Sequence, residues 1–276
     1  PLEAAVTEPA TSSSKPMPLH ERLYRTEAIV LNRMDYGEAD RILTIYTPRH
    51  GKFRVIAKGS RRPLSKMGPH LEYCARTRLD LARGRELDVV TAAETVDGHP
   101  GLHADLDAFG HACHCCEMLD RLTQDRQEHE AAFDLLASSL RLLSDGVDPF
   151  HVARHYELAL LTLLGYRPEL YRCVSCDAEL AAEANAFSSR LGGLLCPRCR
   201  GADAGSRPLT VNAQKYLRSL DRRGLAFVVR LPIDADLRAE VEATLGAYLR
   251  HVTERDLASL RVLREIREPY DAGSVD

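Results

Sequence analysis

Cys173, Cys176, Cys196 and Cys199 form two Cys-x2-Cys pairs separated by 19 residues. Each pair sets two thiolates around one tight turn, and two such turns complete a tetrahedron about a single Zn2+. Four thiolates leave no position for water, so the chemistry expected is structural, not catalytic. A redox Cys-x-x-Cys belongs in a βαβ setting that this stretch lacks, and two disulfides would need an oxidising compartment. Gly192-Gly193 lets the chain double back between the pairs, and Arg190, Arg198 and Arg200 make the rim basic. A second group, His111, Cys113, His114, Cys115 and Cys116, also carries ligand atoms. On a helix His111, His114 and Cys115 would share a face, but Cys113 and Cys116 fall on an apolar stripe, where free cysteine acts as a small hydrophobe.

The other chemistry-bearing residues are cations. Lys52, Arg54 and Lys58 recur at even spacing, which places them on one face of a strand. The loop Lys58-Gly59-Ser60-Arg61-Arg62-Pro63-Leu64-Ser65-Lys66 follows, and Arg76 and Arg78 share a face of the next strand. Arg33 and Arg41, from the first two strands, complete the set. Cations and hydroxyls held this way suit sugar-phosphate chains, whose contact releases counterions and is sensitive to salt. Tyr36, Tyr46, Phe53 and Tyr73 are candidates for stacking on bases, although each also fits a core position; Tyr36, beside Gly37, is the best placed for exposure. Residues 20–90 hold 15 Lys and Arg against 9 Asp and Glu, whereas residues 91–276 hold 21 against 29. A basic lobe on an acidic whole points to a polyanion partner.

These groups need elements to position them. Period-two patterns predict strands at Thr26–Arg33, Arg41–Thr47, Lys52–Lys58, Leu71–Leu81 and Glu86–Thr95, which suits a small barrel of the OB type. After Gly98-His99-Pro100 the period becomes helical. Leu102, Leu106, Phe109, Cys113 and Cys116 line one face, and Phe133, Leu136, Leu140 and Leu143 another. Asp148-Pro149 starts a third helix that ends by Gly165 and Pro168, and helices are predicted over Thr210–Arg223 and Asp236–Thr253. Residues 225–230 read as a short strand, and Leu257–Leu263 as helix. The fold class expected is α+β and multidomain: an N-terminal five-stranded OB-type barrel (20–98), an α-helical body (99–172 and 204–265) and an inserted four-cysteine zinc module (173–203). Residues 1–19, rich in Pro, Ser, Thr and Ala, read as an unstructured leader with Met17 a candidate start, and 266–276 as a tail. No apolar stretch is long enough for a bilayer or a secretory signal, so a cytoplasmic location is expected.

Neither a phosphate loop nor a dinucleotide fingerprint occurs, and no His-Glu-x-x-His or Gly-x-Ser-x-Gly motif. Asp105/Asp107 and Asp234/Asp236 are better explained as helix caps. The chain therefore reads as a non-enzyme; the competing classes are a zinc-dependent nucleic-acid enzyme such as a nuclease, and an adaptor that binds only protein.

Over residues 22–265 the chain resembles the RecO family of bacterial recombination mediators. The resemblance is carried by Tyr36-Gly37-Glu38-Ala39-Asp40-Arg41-Ile42-Leu43-Thr44, by Gly51-Lys52 leading to Ala57-Lys58-Gly59-Ser60-Arg61-Arg62, and by Leu164-Gly165-Tyr166-Arg167-Pro168-Glu169-Leu170 running into the first cysteine pair. Phe187-Ser188, Gly192-Gly193 and the second pair extend it. Some members lack the cysteines, so one structural Zn2+ rests on this chain's own residues. The resemblance implies a DNA repair mediator that binds single- and double-stranded DNA and anneals complementary strands. It also implies partnership with the single-stranded DNA-binding protein and with RecR in loading RecA, without ATP hydrolysis.

Overall fold

The computed structural model describes residues 22–181, 183–254 and 257–267; the expected leader (1–19) and residues 268–276 of the expected tail lie outside the described residues. Five strands, β1 (Leu23–Tyr36), β2 (Asp40–Thr47), β3 (Gly51–Ala57), β4 (Arg76–Ala82) and β5 (Asp88–Asp97), close into a barrel of order β1-β2-β3-β5-β4. β1 is long because it serves two partners: Leu23–Ile29 pairs with β4, and the remainder with β2. A register shift between Val30 and Asn32 bends it from one neighbour to the other. The β3–β5 pairing is parallel and the rest antiparallel, giving the five-stranded barrel of the OB-fold.

Ala28, Val30, Leu43, Ile45, Phe53, Val55, Leu79 and Leu81 fill the barrel. Ile29, Leu31 and Tyr46 are also buried, but in the core of the helical body. One barrel wall is therefore covered on both sides, which is why β1 shows a run of apolar residues instead of alternation. The fourth strand starts at Arg76, not at Leu71. Cys74 sits at φ +64 and Ala75 N turns back to Glu72 O at 3.2 Å, so residues 71–75 form a turn. Leu71, Cys74 and Ala75 are nonetheless buried, and this imitates a strand pattern.

The body comprises α1 (Leu106–Leu122), α2 (Glu130–Ser144), α3 (Pro149–Leu163), α4 (Val211–Arg223), α5 (Leu225–Val228), α6 (Ala235–Thr253) and α7 (Ala258–Arg267). Asp105, Asp148 and Asp234 cap their helices: Asp105 accepts from Asp107 N at 2.9 Å, Asp148 from Phe150 N at 3.0 Å and Asp234 from Leu237 N at 2.8 Å. α1 is central and buried on several sides, so its inferred apolar stripe is only part of its packing. Leu106 is 63% exposed, while Ala108, Ala112, Cys115 and Leu119 join Cys116 in the core. α7 packs on α1 at Gly110, where an added Cβ would lie 2.7 Å from Leu263 Cδ2. The expected strand at 225–230 is instead the helical turn α5, restarted after Gly224 ends α4 at φ +72.

Between α3 and α4 a three-stranded sheet, β6 (Asn185–Ser188), β7 (Gly193–Leu195) and β8 (Arg207–Leu209), carries the cysteine turns. Because β8 pairs with β6, the module runs past residue 203 to Leu209.

Candidate nucleic-acid interface and metal centre

The sulfurs of Cys173, Cys176, Cys196 and Cys199 all lie within 4.8 Å of one another, with Cys176 Sγ and Cys196 Sγ 3.9 Å apart. Four thiolates around one zinc ion at its usual bond length stand about 3.8 Å apart, so the donor set fits a single tetrahedral ion. Backbone geometry supports each turn: Asp177 N donates to Cys173 O at 2.8 Å, and Cys199 N to Cys196 O at 2.9 Å. Cys196 N also donates to Cys173 Sγ at 3.4 Å. Burial alone would raise the Cys173 thiol; N–H groups of Cys196, Cys176 and Ser175 outweigh it and bring the thiol down to about 6. Gly192 adopts φ +76, and a Cβ on Gly193 would lie 2.5 Å from Glu169 O, so the glycine pair is required for the return of the chain. At the rim Arg190 is held by Asp203 and Arg200 by Ala184 O.

The second group of possible ligands does not converge. His114 Nε2 meets Glu157 at 2.7 Å and its Nδ1 meets Ser259 Oγ at 3.0 Å, while His111 Nδ1 meets Asp107 O at 2.8 Å. Among the described residues only the four-cysteine cluster gathers ligands as a metal would need.

The selected cations fall into three environments. Lys52 is removed from the exposed face: it is 9% exposed, and its ammonium donates to Asp120 O and, at 2.8 Å, to Thr123 O. Even spacing does point it outward beside Tyr46, but outward at that end of β3 is the helical body. A second set faces outward with carboxylates attached. Arg33 pairs with Glu72, Arg41 lies 3.4 Å from Asp35, Arg76 is 2.6 Å from Glu27 and Arg78 is 3.1 Å from Glu94. Arg61 belongs with them, 3.2 Å from Asp35. Finally, Arg54, Lys58, Arg62 and Lys66 are exposed and form no ion pair with any described residue. Lys58, Arg62 and Lys66 border one concavity of about 750 Å3 together with Pro63, Leu64 and Thr91.

The loop after β3 is braced by the turn between β1 and β2. Gly59 N donates to Asp40 Oδ1 at 2.7 Å, Arg61 N to Ala39 O at 2.9 Å, and Arg61 Nη1 to Gly37 O at 3.3 Å. Tyr36, at that turn, is 53% exposed, whereas Tyr46 and Phe53 are buried and Tyr73 packs edge-on against Phe109. The structure thus brings the basic loop and Tyr36's turn together, and excludes two of the four aromatics from stacking on a ligand. Exposed barrel cations not selected from sequence include Arg49 in the β2–β3 turn and Arg83 and Arg85 in the β4–β5 turn. None of these lies in the Lys58–Lys66 run or on a strand face read as alternating, which left them no signal to read.

The assembly defines a class: an OB-fold protein with a basic loop on which Lys58, Arg62 and Lys66 have no ion-pair partner among the described residues, backed by a helical body that carries a four-thiol knot. Residues 21–99 match the family described as "Recombination protein O N terminal", and residues 103–261 the one described as "Recombination protein O C terminal". Similar relatives are the "DNA repair protein RecO" of Roseiflexus sp. (strain RS-1), 43% identical over 91% of this chain and 88% of the relative, and that of Pelotomaculum thermopropionicum, 36% identical over 92% and 99%. The RecO of Dehalococcoides mccartyi (strain CBDB1) is 33% identical over 88% and 96%. The chain belongs to the RecO family of DNA repair proteins. No helix among the described residues is long and apolar enough to cross a membrane.

Proposed function

We propose that this chain is a DNA-repair mediator that binds single- and double-stranded DNA through its barrel and anneals complementary strands. With RecR and the single-stranded DNA-binding protein it supports loading of RecA onto gapped DNA in the cytoplasm, by non-enzymatic means. The observation that carries the DNA-binding reading is the set Arg54, Lys58, Arg62 and Lys66, exposed on a braced loop and strand without carboxylate partners. Cations already satisfied by carboxylates gain less from a phosphate, so Arg33, Arg41, Arg61, Arg76 and Arg78 are secondary contributors. Neutralising phosphates on two strands lowers their mutual repulsion and lets base pairing begin. The cysteine knot is assigned one Zn2+, which when bound supplies structural cross-linking only. Cys173, Cys176, Cys196 and Cys199 would hold it, while Gly193 and the β6–β7 pairing keep the two turns in register.

The test is DNA binding and annealing across a salt series. Arg62→Glu with Lys66→Glu is expected to weaken binding to all sequences and to reduce the salt slope by about one unit per lost phosphate contact. An unchanged affinity and slope would remove this surface from the reading.

A further inference from the structure

Leu64 is 95% exposed, the most exposed of the large hydrophobic side chains among the described residues. An exposed leucine alone is ordinary. This one is set apart by its surroundings: Lys58, Arg62 and Lys66 border the same concavity, and none of them is paired with a described carboxylate. Nor is the tip a slack coil. Arg62 N donates to Gly59 O at 3.2 Å and Ser65 N to Arg62 O at 2.9 Å, two successive turns with Pro63 inside the second. Gly68 N then donates to Ser65 Oγ at 3.2 Å. Beneath them Ser60 is buried and donates to Ala57 O at 2.9 Å, and Gly68 lies so near that an added Cβ would be 2.5 Å from Ser60 O. The loop is held in shape with its apolar residue outermost, so little conformational freedom remains to be lost on binding.

An apolar tip ringed by unpaired cations needs a partner that is anionic outside and apolar just beneath. A nucleic acid has that layering, with phosphates flanking a stack of base faces. We infer that Leu64 is a wedge that enters between adjacent bases, while Arg62, Lys66 and Lys58 grip the phosphates on either side. Apolar wedges of this kind unstack a base step and kink the strand. The inference rests on the DNA-binding reading above and deepens it, since it states how the loop engages the base stack. An unstacked step presents its pairing edges to a second strand, which ties the wedge to annealing.

The experiment uses the full chain and DNA containing 2-aminopurine at successive positions, whose fluorescence rises when its base is unstacked. At saturation the unaltered protein is expected to raise the fluorescence. Leu64→Ser is expected to bind about tenfold more weakly, from the loss of one buried leucine side chain, and to abolish the rise while keeping the salt slope. Leu64→Met, of similar volume, is expected to keep the rise. Saturated binding without a rise, or a rise undiminished in Leu64→Ser, overturns the wedge and leaves the DNA-binding reading standing. Absence of DNA binding even at low salt overturns both. Vesicles of phosphatidylglycerol and phosphatidylcholine form the second arm. If they bind in a Leu64-dependent manner while DNA fluorescence ignores Leu64, the tip belongs to a lipid surface and the wedge is overturned.

Discussion

Lys52 gives the most decisive separation between a folding cation and a binding one. Its ammonium closes the barrel onto the end of α1, donating to Asp120 O and to Thr123 O at 2.8 Å. Carbonyls at a helix C-terminus have no partner within the helix, and the helix dipole adds its negative end there. The Asp120 and Asp125 carboxylates are 3.2 and 3.7 Å away but have side chains 34% and 74% exposed, so their contribution is small. Replacing Lys52 by Met keeps most of the aliphatic packing and strands two carbonyls. With net hydrogen bonds to a charged group at about 1.5–3 kcal/mol, and some replacement by water, the expected loss is about 2–4 kcal/mol. For a chain of this size that corresponds to a fall in Tm of about 5–10 °C. The assay pairs thermal unfolding with a salt titration of DNA binding. Lys52→Met should lower Tm and leave the salt slope unchanged, and Arg62→Ala should do the opposite. If Lys52→Met keeps its Tm but loses a unit of salt slope, Lys52 touches phosphate and the burial argument is wrong.

Metal analysis should find about one zinc per chain and none in Cys196→Ser, which should also melt earlier; full metal loading of that variant would refute the four-cysteine assignment. Gly51→Ala should cost at least about 2–3 kcal/mol, because the residue sits at φ +59 and the new Cβ would lie 2.0 Å from Gln127 O; chemical denaturation would expose a neutral substitution. Acid sensitivity should depend on Asp148. Burial pushes its carboxyl up, but Arg238, 2.5 Å away, and Phe150 N outweigh this and hold it below the ordinary value. A depressed carboxyl stabilises fully above its unfolded value of about 3.9 and loses that contribution as pH falls through the folded one. Asp148→Asn should therefore flatten the decline in Tm below about pH 4, and parallel curves for the two proteins would refute the assignment.

The gathering of the four cysteines was legible because it is encoded by residue type and short spacing, and turns of two residues leave little freedom in how they close. The barrel was legible for a similar reason, since alternation survives wherever one strand face is solvated. Legibility failed where burial came from a second direction. At Leu71–Ala75 a turn kept its side chains inside through a left-handed Cys74, and the pattern looked like more strand. On α1 the side chains of both His111 and Cys116 are buried, so no single stripe could be its core face. Leu64 carried no signal at all, because its meaning lies in exposure and in the cations around it.

The same limit explains the cations and bears on the surplus charge of the barrel. Even spacing correctly put Lys52 and Arg54 on one face, but that face has two neighbours: the helical body at the Tyr46 end and solvent beside Thr44. Were that face used only for docking, a basic lobe on an acidic chain would merely reflect the fit of one on the other. The contacts argue otherwise. Across the joint Lys52 of the barrel meets Asp120, but Arg126 of the body meets Asp88 of the barrel at 3.3 Å, and Arg141 meets Asp97 at 2.7 Å. Among the described residues the ion pairs across the joint thus engage one barrel cation and two barrel acids, so the positive excess is not consumed by the body. It remains outward, concentrated where Arg54, Lys58, Arg62 and Lys66 lack counter-charges of their own, and an outward excess of that kind is stabilised most by an external polyanion.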